Sequence, residues 1–139
     1  MQADEAKNLV GKQWSSWKNL NPRNLIYILD GYGVYIIRAV QHQVPRLNGH
    51  SDILYVGRGK LKNRLGKCLN YRLGYRYWPT ESGRLYRVER QLELLMEFSY
   101  FVTDSYMQAE TSILDEYEKQ HLELPPLNQQ RGYRSKLPY

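Results

Sequence analysis

Two runs rich in Val, Ile and Tyr, GYGVYIIRAV (31–40) and DILYVG (52–57), lie close together, and this constrains the fold more than any other feature. β-branched and aromatic residues suit the pleated, half-buried surface of a sheet, and glycines bound both runs. Between them Gln41 to Ser51 holds Pro45 and Asn48-Gly49, which reads as an extended hairpin loop. MEFSYFV (96–102) alternates as a third strand. Residues 1–20, carrying Leu9, Val10, Trp14 and Trp17, read as a helix broken by Asn21-Pro22, and Pro22 opens a short turn through Leu29. Residues 61–73 set Leu61, Leu65, Leu69 and Leu73 on one stripe, and another helix is expected to end near residue 93. Ser105 and Gln108 stand at capping-box spacing before a last helix, which runs to about His121 because Pro125-Pro126 forbids much extension.

This order of elements predicts an α/β (α+β) fold, a small three-stranded antiparallel or mixed sheet flanked by helices. No internal repeat or low-complexity segment divides the chain, so residues 1–139 are expected to form one domain. Within it, 1–30 is a helical N-terminal extension, 31–128 the core, and 129–139 a basic tail. The net charge is +6 and the sequence pI about 9.4, which makes a polyanion the natural class of partner. Thirteen tyrosines against two phenylalanines supply rings with a polar tip, suited to wet surfaces, base stacking or half-buried strand positions. Cys68 is the single cysteine, which rules out an intrachain disulfide and a cysteine-based zinc site and fits a reducing compartment. With no apolar run of transmembrane length and no signal-like N-terminus, the expected location is cytoplasmic or otherwise intracellular, away from membranes.

On the last helix Tyr106, Ala109, Ile113, Leu114, Tyr117 and His121 share one face, and Glu110 falls in the middle of it. Burying an unpaired carboxylate costs several kcal/mol, so Glu110 needs a cation, either an arginine partner or a metal ion at the mouth of a cleft. The stretch from Arg58 to Arg90 holds ten Lys/Arg against two Glu, interleaved with Tyr71, Tyr75, Tyr77, Trp78 and Tyr86. Basic residues bind phosphate and aromatic rings stack on bases. Lys60, Lys62, Lys67, Arg72, Tyr75, Arg76, Tyr77 and Trp78 are therefore the expected nucleic-acid-binding residues.

Read in order, these features resemble the GIY-YIG nuclease family. Gly33-Val34-Tyr35 stands where GIY belongs and Tyr55-Val56-Gly57 where YIG belongs, with Arg58 directly after. Arg64 in KNRL is similar to the family's helix arginine, Glu110 in AETSIL to its metal-binding glutamate, and Asn128 in PPLN to its late asparagine. The set spans residues 33 to 128. Single triplets of this kind occur by chance; the ordered set on the expected elements is what carries the resemblance. The interval 41–51 is longer than in many members, and Cys68 stands where many carry a histidine, which shifts the base role to Tyr35.

The resemblance implies a metal-dependent endonuclease acting on nucleic acid, with DNA as the expected substrate and one Mg²⁺ or Mn²⁺ at Glu110. A hydrated Mg²⁺ needs only one or two protein carboxylates beside the substrate's phosphate oxygens. Arg64 would neutralise charge on the phosphoryl oxygens. Tyr35 would position or deprotonate the water, with Arg58 nearby lowering its phenol from an ordinary pKa of ~10. Tyr55 would orient water or phosphate, and Asn128 would pack or hydrogen-bond around the site. Two alternatives keep the same fold: a nucleic-acid-binding module that does not cut, and a subunit whose partner supplies specificity. Trp14 and Trp17 of the N-terminal helix could serve such a partner or a homodimer, although core packing is the commoner use of such residues.

Overall fold

The computed structural model describes residues 1–72 and 95–128, the side chains of Pro22 and 67–72 excepted. The expected helix ending near 93, the aromatic stretch with Tyr75, Arg76, Tyr77 and Trp78, and the tail 129–139 lie outside the described residues, as do the side chains of Lys67, Cys68, Tyr71 and Arg72. Helix α1 (Ala3–Val10) is followed by strand β1 (Lys18–Asn19), a single helical turn α2 (Pro22–Leu25) and strand β2 (Tyr32–Ala39). The short pair β3 (Val44–Pro45) and β4 (His50–Ser51) leads to β5 (Ile53–Lys60), which passes directly into α3 (Leu61–Arg72). Strand β6 (Met96–Val102), helix α4 (Tyr106–His121) and a 3₁₀ turn (Pro126–Asn128) complete the described chain.

The main sheet has the order β1-β6-β2-β5, and every pairing in it is antiparallel. It therefore has four strands where the sequence pattern suggests three. The fourth comes from the segment read as the end of a long first helix. Helix α1 stops at Val10, and Ser15 then pairs with β6: its N–H donates to the Tyr100 carbonyl at 2.8 Å, and its carbonyl accepts the Ser99 hydroxyl at 2.6 Å. Bonds to a strand edge outweigh the weak helical preference of Gly11, Ser15 and Ser16. Trp14 stacks on Phe101 at 5.6 Å, and Trp17 lies under the Arg38 guanidinium at 3.9 Å while donating to Asp4. Both tryptophans thus pack within their own chain.

Alternation along β2 sends successive side chains to opposite faces of the sheet, and both faces are covered. Tyr35, Ile37 and Ala39 join Leu61 and Leu65 of α3, with Leu20, Ile28 and Leu127, in one buried cluster. Val34 and Ile36 join Ala3 and Ala6 of α1 and Ala109, Ile113, Leu114 and Tyr117 of α4 in the other. A β-bulge sits between the pairs Ile37–Tyr55 and Arg38–Ile53, leaving Leu54 as the extra residue on β5. Because of it Ile53 faces α4, while Leu54 and Tyr55 both face the α3 side.

Helix α4 starts where the sequence signals it, with different cap chemistry. Ser105 has φ −90° and ψ 37°, outside the extended conformation that turns a cap hydroxyl toward the helix, and its side chain makes no cap bond. Its N–H donates to the Thr103 hydroxyl instead. The loop 41–51 does form the expected hairpin, with Gly49 at φ 75° and the Arg46 N–H donating to the Gly49 carbonyl. His121 ties this hairpin to α4 through Nδ1 and the Asn48 carbonyl at 2.7 Å. None of the described helices is long and apolar enough to cross a membrane.

Asp52 anchors α1 by accepting the Ala3 N–H at 2.7 Å, and burial pushes its carboxyl above the ordinary 3.8, opposed by that bond and by Arg38. A folded pKa raised above the unfolded one stabilises below about pH 3.8, and that contribution is lost as pH rises through the folded value. Asp52→Asn keeps the acceptor and removes the charge. The variant is expected to gain stability relative to wild type as pH rises from 3 to 7, measured by urea unfolding at several pH values. A constant difference across that range overturns the account.

Candidate functional site

Five consecutive residues of β5, Tyr55 to Gly59, each hold one of the sequence-derived site residues. Tyr55 is itself one of them. Val56 is bracketed by the Asn128 carboxamide, whose Oδ1 accepts the Val56 N–H and whose Nδ2 donates to the Val56 carbonyl, both at 2.9 Å. Pro125-Pro126 and the 3₁₀ turn place Asn128 there, with Leu127 buried in the α3-side cluster. Both atoms are buried, so the asparagine replaces the neighbouring strand that β5, at the sheet edge, lacks.

Gly57 lies under two rings. A Cβ at this position would overlap Cζ and the hydroxyl of Tyr35 and Cε2 of Tyr55. The two tyrosines meet at 5.9 Å with a 48° tilt, Tyr35 showing only 2% of its surface and Tyr55 half-buried. Glycine is required here by close approach alone. At Gly59 the reason is conformational as well: φ is +123°, and the Arg64 side chain crosses over it, with Nε 3.1 Å from where a Cβ would stand. Leu61 and Leu65 bury the inner side of α3, which leaves Arg64, in its first turn, exposed beside the strand end.

Arg58, between the two glycines, points to the opposite face. Its cross-strand neighbour is Val34, and its Nε donates to Glu110 Oε1 of α4 at 3.0 Å. This corrects the expectation that Arg58 lies beside Tyr35, because strand alternation puts Gly57 on the tyrosine side and Arg58 on the α4 side. Glu110 is on the inner side of α4 as the helical pattern requires, 12% exposed in its side chain, and its arginine partner is Arg58 rather than Arg64.

Around the end of β5 opens a cleft of about 670 Å³, lined by Tyr32, Arg58, Gly59, Lys60, Lys62, Asn63, Arg64, Gly66 and Tyr106. All the charged residues of this lining are cations. Lys60, Lys62 and Arg64 make no ion pair with any described carboxylate. Tyr35 and Tyr55 lie behind the cleft, on the α3-side face of the strands, and do not line it. Five lining residues are absent from the sequence-derived site, Gly59, Asn63, Gly66 and the two rings of Tyr32 and Tyr106, and the rings matter most. Spacing could have found them: Tyr106 lies one turn before Glu110 on the same face, and Tyr32 shares a strand face with Val34, opposite Lys60.

Among the described residues no three His, Cys, Asp or Glu side chains group together, and a metal at Glu110 would complete its shell with water and oxygens of a ligand. One Arg58 N–H uses one of about four acceptor positions on a carboxylate, and this donor set fits a hydrated Mg²⁺. No family model, curated protein or solved structure matches the chain.

Two substitutions test the packing around β5. Asn128→Ala strips both polar backbone groups of Val56 and is expected to destabilise by about 2–5 kcal/mol, read from equilibrium unfolding. A loss below about 0.5 kcal/mol would show that Val56 finds other partners. Gly57→Ala is expected to cost about 1–3 kcal/mol through overpacking. It should cost less in a Tyr35→Leu background, where the hydroxyl and Cζ are gone; equal costs in both backgrounds would overturn the close-approach argument.

Proposed function

We propose that this chain is a metal-dependent endonuclease of the GIY-YIG type, hydrolysing phosphodiester bonds of nucleic acid, with DNA the first candidate. The observation that carries this reading is that Tyr35, Tyr55, Arg64, Glu110 and Asn128 all belong to or pack against five consecutive residues of one strand, from both faces and its free edge, and that this strand ends in a cleft whose charged lining is cationic. Arg64, exposed and without a described carboxylate partner, binds the non-bridging oxygens of the scissile phosphate. Arg58 reaches the same cleft and is 42% exposed, so it can contact phosphate while it orients Glu110. Glu110 would hold Mg²⁺ or Mn²⁺, which when bound polarises the phosphate and stabilises the leaving oxygen. Tyr55, the more exposed of the two tyrosines, lies on the α3-side face behind the cleft and shapes the strand end from there without lining the cleft. Tyr35, nearly enclosed, holds the strand end in shape by covering Gly57. Lys60 and Lys62 extend the phosphate-binding surface along the cleft.

A second reading has one observation in its favour. The Arg58–Glu110 pair satisfies the carboxylate within the protein, as it would in a nucleic-acid-binding module that does not cut. One experiment separates the two. Wild type and Glu110→Ala are incubated with supercoiled, linear, branched and single-stranded DNA, with Mg²⁺ or Mn²⁺ and with EDTA. The nuclease reading expects metal-dependent cleavage that falls by on the order of 10²–10³-fold in the variant while binding persists. Binding without cleavage by wild type, with RNA also left intact, moves the binding module ahead.

A further inference from the structure

Tyr32 and Tyr106 stack on each other at 5.6 Å with 27° between their planes, at the wall of the cationic cleft. Neither ring belongs to the two buried clusters that flank the sheet, and Tyr32 remains 50% exposed. A half-exposed stacked pair does little for the core. It does present a π surface beside Arg58, Lys60, Lys62 and Arg64, cations that suit a phosphodiester. A nucleotide has both parts, an anionic phosphate and a flat base, a few ångströms apart. Inside a duplex the base faces are covered by their neighbours, so an aromatic platform can hold only a base that has left the stack.

We infer that the Tyr32–Tyr106 pair is a stacking platform for one unpaired base beside the phosphate bound in the cleft, so that the site selects single-stranded or locally opened nucleic acid over intact duplex. This rests on the nucleic-acid reading above and adds a substrate class to it. The cations supply affinity for any strand. The rings supply the preference, because they contribute only when a base face is free.

The test uses an oligonucleotide carrying a single 2-aminopurine, as a single strand and as the matching duplex, in EDTA so that it stays intact. The protein is wild type, Tyr32→Ala, Tyr106→Ala, and Tyr32→Trp, which keeps a ring. Wild type is expected to bind the single strand more tightly and to quench the probe on binding. Each alanine variant should bind the single strand on the order of tenfold more weakly, with duplex binding unchanged, and lose the quench. Tyr32→Trp should retain both, which separates loss of the ring from loss of the fold. Alanine variants that bind the single strand like wild type, or that weaken single strand and duplex alike, overturn the platform. Binding by wild type without quenching overturns it and leaves the nuclease reading standing. Failure of wild type to bind either form removes both.

Discussion

The arrangement depends on β5 being an edge strand that is closed on its free side by a side chain. Val56 is buried, and its N–H and carbonyl have no strand beyond them. An asparagine carboxamide presents one N–H and its oxygen side by side as a peptide group would, so Asn128 completes the ladder for one residue and no further. Beyond Gly57 and its covering rings, Arg58 to Lys60 are left to line the cleft. A full neighbouring strand would have covered that edge. Closing the sheet with one residue protects the core and keeps the strand end accessible.

The same strand converts alternation into a division of labour. Gly57 and Gly59 face the α3 side, where absent side chains admit the Tyr35 and Tyr55 rings and then the Arg64 side chain. Arg58 faces α4 and finds Glu110 there. Groups that stand close along the chain are thereby placed on two sides of the sheet, and they meet again only where β5 ends and the cleft wraps around it. This explains why Arg58 and Arg64 share a cleft while Tyr35 stays behind it.

Much of this was legible in the sequence where the signal is a period. The two β-rich runs, the inward Leu61 and Leu65 of α3 and the inward position of Glu110 all follow from side-chain direction on a strand or helix, and the described structure has them as the pattern implies. The fourth strand was not legible. Residues 11–19 have no strand-like alternation; their conformation is set by β6, through the Ser15 bonds to Tyr100 and Ser99, and a tertiary partner leaves no local mark. The choice between Arg58 and Arg64 as partner of Glu110 was hidden for a similar reason. It depends on which face of β5 packs on α4, and the bulge at Leu54 fixes that only in three dimensions. Tyr32 and Tyr106 were in view as residues but not as a pair, since their contact joins the start of β2 to the start of α4.

The cation balance of the cleft bears on stability as well as on binding. Arg38 and Arg46 have carboxylates within reach, as does Arg58, whereas Lys60, Lys62 and Arg64 have none among the described residues. Like charges gathered at a concave strand end repel one another, and the repulsion is relieved when an anion enters. A polyanion that binds only the folded chain also shifts the folding equilibrium by mass action. The unpaired cations that would suit an anion therefore lower the stability of the free protein, and the buried bonds of the same strand, Asn128 to Val56 above all, offset that loss. In this fold the site and the device that stabilises it occupy neighbouring residues of the same five-residue stretch.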